Sequence, residues 1–371
     1  MARHKGKSRR RIKSIEEHSI SDYNADTALS PQSLSQRAVK IPTHRLAAQE
    51  ENLQDLPKAD GMVTGLYPGG VMVRTDDRQL LCAVAKTFRP PETSTPLAVG
   101  DEVTVALTQH QHADAVADDR HRSDGMVIAR RLRRTLLARP EPISAKRRDE
   151  YKAETFLKVI AANMDVLLVV VSLRKPKLRH GLIDRFLIVA ERGELQPMIA
   201  INKIDLARPD EHLLNELAER QVNVVQCSAE TGEGVADLSA RLTGRRSILA
   251  GASGVGKSAL INAMIPGANV LTRKIRAKDD RGRHTTSAAV IYDLPAGGMI
   301  VDTPGIRELG MDLTAEQLPW YFPEFGPYAG KCRFNDCTHA HEPDCAVIAA
   351  VQSHLIPARR FASYLRILES L

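Results

Sequence analysis

Eight residues, Gly251-Ala252-Ser253-Gly254-Val255-Gly256-Lys257-Ser258, have the most specific spacing in this 371-residue chain. They match the GxxxxGKS phosphate-loop pattern, after an apolar run expected as a strand and before a run expected as a helix. Glycines let such a loop curl so that its N–H groups point at phosphates, and the N-terminus of the next helix adds a favourable field. Lys257 is expected to reach the β- and γ-phosphates and Ser258 to ligate magnesium, with Ala259 the next residue of the binding segment.

A phosphate loop does not choose between adenine and guanine, so a base reader must be sought elsewhere. Asn202-Lys203-Ile204-Asp205 follows an apolar strand, at the sheet edge where α/β folds bind ligands. Asp205 can accept hydrogen bonds from guanine N1–H and the 2-amino group. Adenine has no donor at either place, and such mismatches discriminate by roughly 10⁴-fold or more. Ser228 and Ala229, after the next strand, resemble the Ser-Ala loop whose backbone contacts the guanine carbonyl. GTP as substrate, GDP as product and Mg2+ are the implied ligands.

Asp302 and Gly305, in Val301-Asp302-Thr303-Pro304-Gly305, are expected as a second switch, with Asp302 holding magnesium through water and the Gly305 N–H meeting the γ-phosphate. The polar segment ending Gly282-Arg283-His284-Thr285-Thr286 reads as the first switch, with Thr286 favoured over Thr285 as magnesium ligand. Ile306 stands where Ras-like enzymes keep a water-orienting glutamine, and an isoleucine cannot do that. His284 is therefore expected to position or deprotonate the water.

The order of these motifs is permuted: the guanine reader precedes the phosphate loop. The sheet can be unchanged, because joining the old C-terminal helix to the phosphate-loop strand needs only residues 243–246, and neighbouring termini tolerate such a cut. It also places the second switch directly before the C-terminal region. There Cys332, Cys337, His339 and Cys345, spaced Cys-x4-Cys-x-His-x5-Cys, suit tetrahedral zinc in a structural role, with His341 competing for the fourth place and free thiols the alternative.

The elements that must position these groups follow from pattern. Residues 1–52 are polar, basic and without periodicity, and read as a disordered arm. Short β-type runs at 61–65, 70–73, 80–84, 101–105 and 126–128 suggest an OB-type barrel within 53–145, with His110, His112 and His121 as loop residues. Buried strands at 166–171, 198–201, 222–226, 247–250, 288–292 and 299–301 alternate with helices at 182–191, 211–219, 235–242 and 257–264, giving an α/β domain over 146–311. Residues 312–371 form a mostly α zinc-binding domain. A net charge of +7 and a pI near 9.2 favour a polyanionic partner, and basic runs in the arm, at Arg130–Arg134 on the last barrel strand and at 273–283 are the candidate RNA contacts. No apolar run spans a membrane, and the basic N-terminus lacks a signal segment, so a cytoplasmic protein is expected.

Permuted motifs, a preceding barrel and the following cysteine-histidine segment together resemble the ribosome small-subunit-dependent GTPases, the RsgA or YjeQ family. That resemblance implies a monomeric late assembly factor that binds the 30S subunit and its 16S rRNA, is stimulated by it, and leaves after hydrolysing GTP. It also implies the zinc ligand set Cys332, Cys337, His339 and Cys345. An RNA-binding nucleotide switch and a large-subunit assembly GTPase are the alternative readings.

Overall fold

The computed structural model describes residues 53, 55–67, 69–90, 95–108, 123–140, 157–268, 270, 289–303, 311 and 313–371. The basic arm, His110, His112, His121 and the first-switch segment lie outside these residues.

Five strands, β1 (Lys58–Tyr67), β2 (Gly70–Arg74), β3 (Gln79–Val84), β4 (Glu102–Leu107) and β5 (Gly125–Arg130), close a barrel in the order β1-β2-β3-β5-β4. Only the β3–β5 pair is parallel. Val63, Val73, Cys82, Val105 and Val127 fill its interior, and closure removes the free sheet edges, as the OB-type reading requires.

The Arg130–Arg134 run needs correcting as an RNA-facing strip. Strand β5 stops at Arg130, and the side chains of Arg130 and Arg133 turn inward to Asp101, whose carboxylate is fully buried. Arg133 donates from Nε and Nη2 to both Asp101 oxygens at 2.8 and 2.9 Å. A buried carboxylate is tolerable only with such partners. Arg131 pairs at the surface with Asp60, and Arg134 is exposed.

An antiparallel hairpin follows, β6 (Leu136–Pro140) and β7 (Leu157–Ala162), which the sequence pattern did not suggest. It bridges to the barrel at Val99–Ala161, while the Leu136 N–H donates to the Gly193 carbonyl of the next unit at 3.0 Å. The expected boundary at 145/146 falls between its strands, outside the described residues.

The central unit runs β8 (Val166–Ser172), α1 (His180–Arg192), β9 (Gln196–Asn202), α2 (Glu211–Glu219), β10 (Asn223–Gln226), α3 (Val235–Leu242), β11 (Arg246–Ala250), α4 (Lys257–Met264), β12 (Val290–Asp293) and β13 (Met299–Asp302). Its sheet order is β10-β9-β8-β11-β13-β12, parallel except for edge strand β12. All seven residues of β8 are buried, because helices cover both faces. Val169 and Ile199 pack with Phe186 and Leu217 on the α1/α2 side; Leu168 and Val170 pack with Leu238 and Leu260 on the α3/α4 side. The chain builds the β8–β10 half first and then crosses to the sheet centre at β11. Residues 243–245 suffice for that link, fastened by Gly244 N–H to the Gly297 carbonyl at 3.0 Å.

Two 3₁₀ turns (Leu318–Tyr321 and Pro323–Phe325), α5 (Gly326–Ala329), α6 (Ala346–Gln352) and α7 (Ala358–Leu368) make the C-terminal region. Phe322, Phe325, Tyr364 and Ile367 form its core with the three cysteines, and Ile188 of α1 belongs to the same cluster. Charge reinforces that contact. Asp184 of α1 accepts from Arg360 of α7 and, at 2.7 Å, from Arg220, while Arg360 Nε donates to Glu324 at 2.5 Å. Burial and then the neighbouring Arg360 charge lower the Arg220 pKa, opposed by Asp184 and Glu324. Asp184→Ala leaves two guanidinium groups converging without their shared carboxylate. The expected loss is about 3–5 kcal/mol, read as a lower urea midpoint of the C-terminal region; an unchanged midpoint contradicts it. Among the described residues, no helix is long and apolar enough to cross a membrane.

Candidate functional site

Strand β11 delivers the phosphate loop to the carboxyl edge of the sheet, and α4 begins at Lys257. Gly251 and Gly256 have φ of 135° and 99°. A Cβ at Gly251 would lie 2.2 Å from the Val170 carbonyl oxygen, and one at Gly256 would lie 2.3 Å from Asn202 Nδ2. Glycine is therefore needed for both conformation and space. Lys257 Nζ folds over the loop, donating to the carbonyls of Gly251 and Ala252 at 2.8 and 3.0 Å. Ala252 and Ser258 are half-buried, Ser253 and Gly254 are exposed, Val255 is buried, and Ala259 follows in the first turn of α4.

The Asn202–Asp205 segment is fastened to this loop although Asn202 lies 53 residues from Val255 in the chain. Buried Asn202 donates through Nδ2 to the Val255 carbonyl at 2.8 Å, and its Oδ1 accepts from the Ala229 N–H at 3.1 Å. Lys203 Nζ donates to the Gly254 and Lys175 carbonyls, both at 2.5 Å. Burial lowers the Lys203 pKa, Asp205 opposes the shift, and Lys175 adds to it. Asp205 is exposed, with one oxygen held by the Ser228 hydroxyl at 2.5 Å and its carboxylate presented at the sheet edge. Two sequence-distant motifs are thus joined by hydrogen bonds.

Asp302 ends β13 in register with Leu249, just before the phosphate loop, so the aspartate expected in the second switch stands beside that loop. His284, Thr285, Thr286 and Gly305 lie outside the described residues.

At the metal cluster the ligand atoms of Cys332, Cys337, His339 and Cys345 all lie within 4.8 Å of one another. Cys332 and Cys345 sulfurs are 3.8 Å apart, and each is 3.5 Å from His339 Nδ1. Zn–S and Zn–N bonds of about 2.3 and 2.0–2.1 Å set tetrahedral edges of about 3.8 and 3.5 Å, so Cys332, Cys345 and His339 already have the spacing of three vertices of such a tetrahedron. No disulfide joins the cysteines. Burial pushes the Cys337 thiol up to about 12, a cost that a bound cation reverses by favouring thiolate. His339 is buried inward with φ 57°, whereas His341 is exposed, which decides between the two histidines. Glu342 organises the turn between them, accepting from the N–H groups of Thr338, Ala340 and His341 and from the Thr338 hydroxyl. Burial opposes its charge, but these hydrogen bonds outweigh it and hold the carboxyl well below the usual range.

The RsgA GTPase family matches residues 133–312. The small ribosomal subunit biogenesis GTPase RsgA of Chlorobaculum parvum is 36% identical over 318 residues, covering 84% of this chain and 97% of that protein. The chain belongs to the RsgA GTPase family. Its relative in Dickeya dadantii is 41% identical over 255 residues, 67% of this chain and 70% of that protein. Among solved structures, YjeQ from Thermotoga maritima superposes with a TM-score of 0.58 at 30% identity, covering 84% and 98% of the two chains. YloQ, described as a circularly permuted GTPase, shares the fold with a TM-score of 0.56 at 22% identity, covering 84% and 94%. The RsgA-family fold is thus the one expected from the motif order, with an OB-type barrel, a permuted GTPase domain and a mostly α metal-binding region.

Pattern reading of this RsgA-family chain missed groups that act between elements. Arg74 of β2 pairs with Asp293 of β12 at 2.6 Å, and Arg246 of β11 with Glu102 of β4 at 3.0 Å, tying the barrel to edge strand β12 and to β11, which leads into the phosphate loop. No local periodicity signals such pairs.

Proposed function

We propose that this chain is a GTPase of small-subunit biogenesis that binds the 30S subunit through its 16S rRNA, hydrolyses GTP when stimulated there, and departs with GDP. The observation that carries the nucleotide reading is Asn202, whose one buried amide joins phosphate loop and Ser-Ala loop and so sets the distance between triphosphate and base. The names of the relatives support the small subunit as the place of action. The whole chain works as a cytoplasmic monomer divided as 1–52, 53–145, 146–311 and 312–371.

In this reading Asp205 takes the guanine N1–H and 2-amino donors, Ala229 contacts the guanine carbonyl, and loop N–H groups from Gly251 to Ala259 cradle the phosphates. Lys257 exchanges its two loop carbonyls for phosphate oxygens. Ser258 and Thr286 would hold Mg2+ directly and Asp302 through water, and the bound ion would supply charge neutralisation at the phosphates. The Gly305 N–H contacts the γ-phosphate and His284 orients the attacking water. Cys332, Cys337, His339 and Cys345 hold one structural zinc, since four protein ligands leave no open position.

Turnover measured with separated small and large subunits tests this. Small subunits should stimulate hydrolysis strongly, and added salt should shrink the stimulation. Absence of stimulation by small subunits at low salt overturns the reading. His284→Ala should keep GTP affinity while lowering stimulated turnover roughly 10²–10⁴-fold; retained turnover removes His284 from the role.

A further inference from the structure

Between β8 and α1, residues Arg174, Lys175, Lys177 and Arg179 place four cations within six positions, and all four are exposed. No carboxylate pairs with any of them among the described residues. Like charges this close repel one another, and here the adjoining helix adds to the repulsion. Arg179 is the N-cap of the 13-residue helix α1, without a side-chain cap hydrogen bond and with no acidic residue in the first turn. A helix N-terminus favours anions, so a cation at that position is unfavourable until negative charge arrives from outside.

The loop is also fastened to the nucleotide site. The Lys175 carbonyl accepts from Lys203 Nζ at 2.5 Å, and the same ammonium holds the Gly254 carbonyl of the phosphate loop. Ser172 at the end of β8 donates to the Pro176 carbonyl at 3.0 Å, and Pro176 faces Gly254, where an added Cβ would lie 3.8 Å from the proline ring. A force on this loop therefore reaches Lys203, a member of the base-reading motif, through one hydrogen bond.

We propose that loop 173–179 is an RNA contact, gripping backbone phosphates with Arg174, Lys177 and Arg179, and that it transmits subunit binding to the phosphate loop through Lys175 and Lys203. This deepens the small-subunit reading and rests on it for the identity of the RNA. Sequence-independent phosphate contacts suit the residues present, which are flexible cations without an interleaved aromatic for base stacking.

The test uses the full chain carrying Arg174→Ala, Lys177→Ala and Arg179→Ala together, with a charge-keeping control, Arg174→Lys, Lys177→Arg and Arg179→Lys. Binding to separated small subunits and to polyuridylate is measured across salt, alongside affinities for GTP and GDP. Removing three phosphate contacts should lower the slope of log affinity against log salt by about 2 on polyuridylate, at roughly 0.7 per contact on a single strand. Subunit-stimulated turnover should fall with it, the control should behave as the unaltered chain, and unstimulated turnover and nucleotide affinities should hold within about twofold. Unchanged salt slopes on both probes overturn the proposal. So does a fall in GTP affinity with an unchanged slope, which assigns the charges to the nucleotide's own phosphates. An unaltered chain that binds polyuridylate through this loop but ignores small subunits supports the loop as an RNA contact and overturns the small-subunit reading instead.

Discussion

Asp205→Ala should weaken GTP binding by roughly 10²–10³-fold, because two hydrogen bonds to a charged acceptor are lost, at about 1.5–3 kcal/mol each, with some recovery from water. Selectivity is the sharper readout. Inosine triphosphate lacks the 2-amino group, so the unaltered chain should prefer GTP over it by about tenfold or more, while the variant should scarcely distinguish the two. Equal discrimination by both proteins would show that Asp205 does not read the base. The Ser228 hydroxyl fixes one Asp205 oxygen, so Ser228→Ala should reduce affinity less and leave the preference intact. A titration with a fluorescent guanine nucleotide, competed by each unlabelled triphosphate, measures all three.

Removing the metal should have the second large effect. Cys332, Cys337 and Cys345 belong to the apolar core that contains Phe325 and Tyr364, and Tyr364 donates its hydroxyl to the Thr338 carbonyl at 2.5 Å within the ligand loop. Apparent binding free energies of structural zinc in small peptides reach about 10–16 kcal/mol, and here the surrounding core holds part of the fold by itself. Cys345→Ser should abolish stoichiometric metal by atomic absorption and release amide protection across residues 326–368. Protection in β8, β9 and β11 should persist, because that core is separate from the metal cluster. A variant that keeps one metal ion per chain, or an unaltered exchange pattern, would contradict the assignment.

Motifs whose residues lie close together in the chain are legible from sequence alone. The phosphate loop is such a case: glycine spacing and the flanking strand and helix dictate its path locally, and helices α2, α3 and α4 begin and end where the pattern places them. The seven-residue apolar run of β8 likewise announces a strand buried on both faces. Hairpin β6–β7 is not legible in this way, since its strands are short and separated by residues 141–156. Arg130 and Arg133 read as surface charge because nothing in their neighbourhood reveals that Asp101, about thirty residues earlier, is buried against them.

By itself the sequence offered the chemistry proposed here: a phosphate-loop pattern, an Asn-Lys-x-Asp segment, an aspartate at the end of β13, and three cysteines with one histidine as metal donors, each encoded within a short stretch of chain. Tertiary structure decided how they combine, because contacts between elements depend on distances that no local spacing contains. It set Asn202 on Val255 and Ala229, chose His339 over His341, turned two arginines inward, and joined the cationic loop 173–179 to the phosphate loop through Lys203. The permuted order is the clearest instance. The sheet depends on which strands lie side by side, and residues 243–245 are long enough to join α3 to β11 in the permuted order.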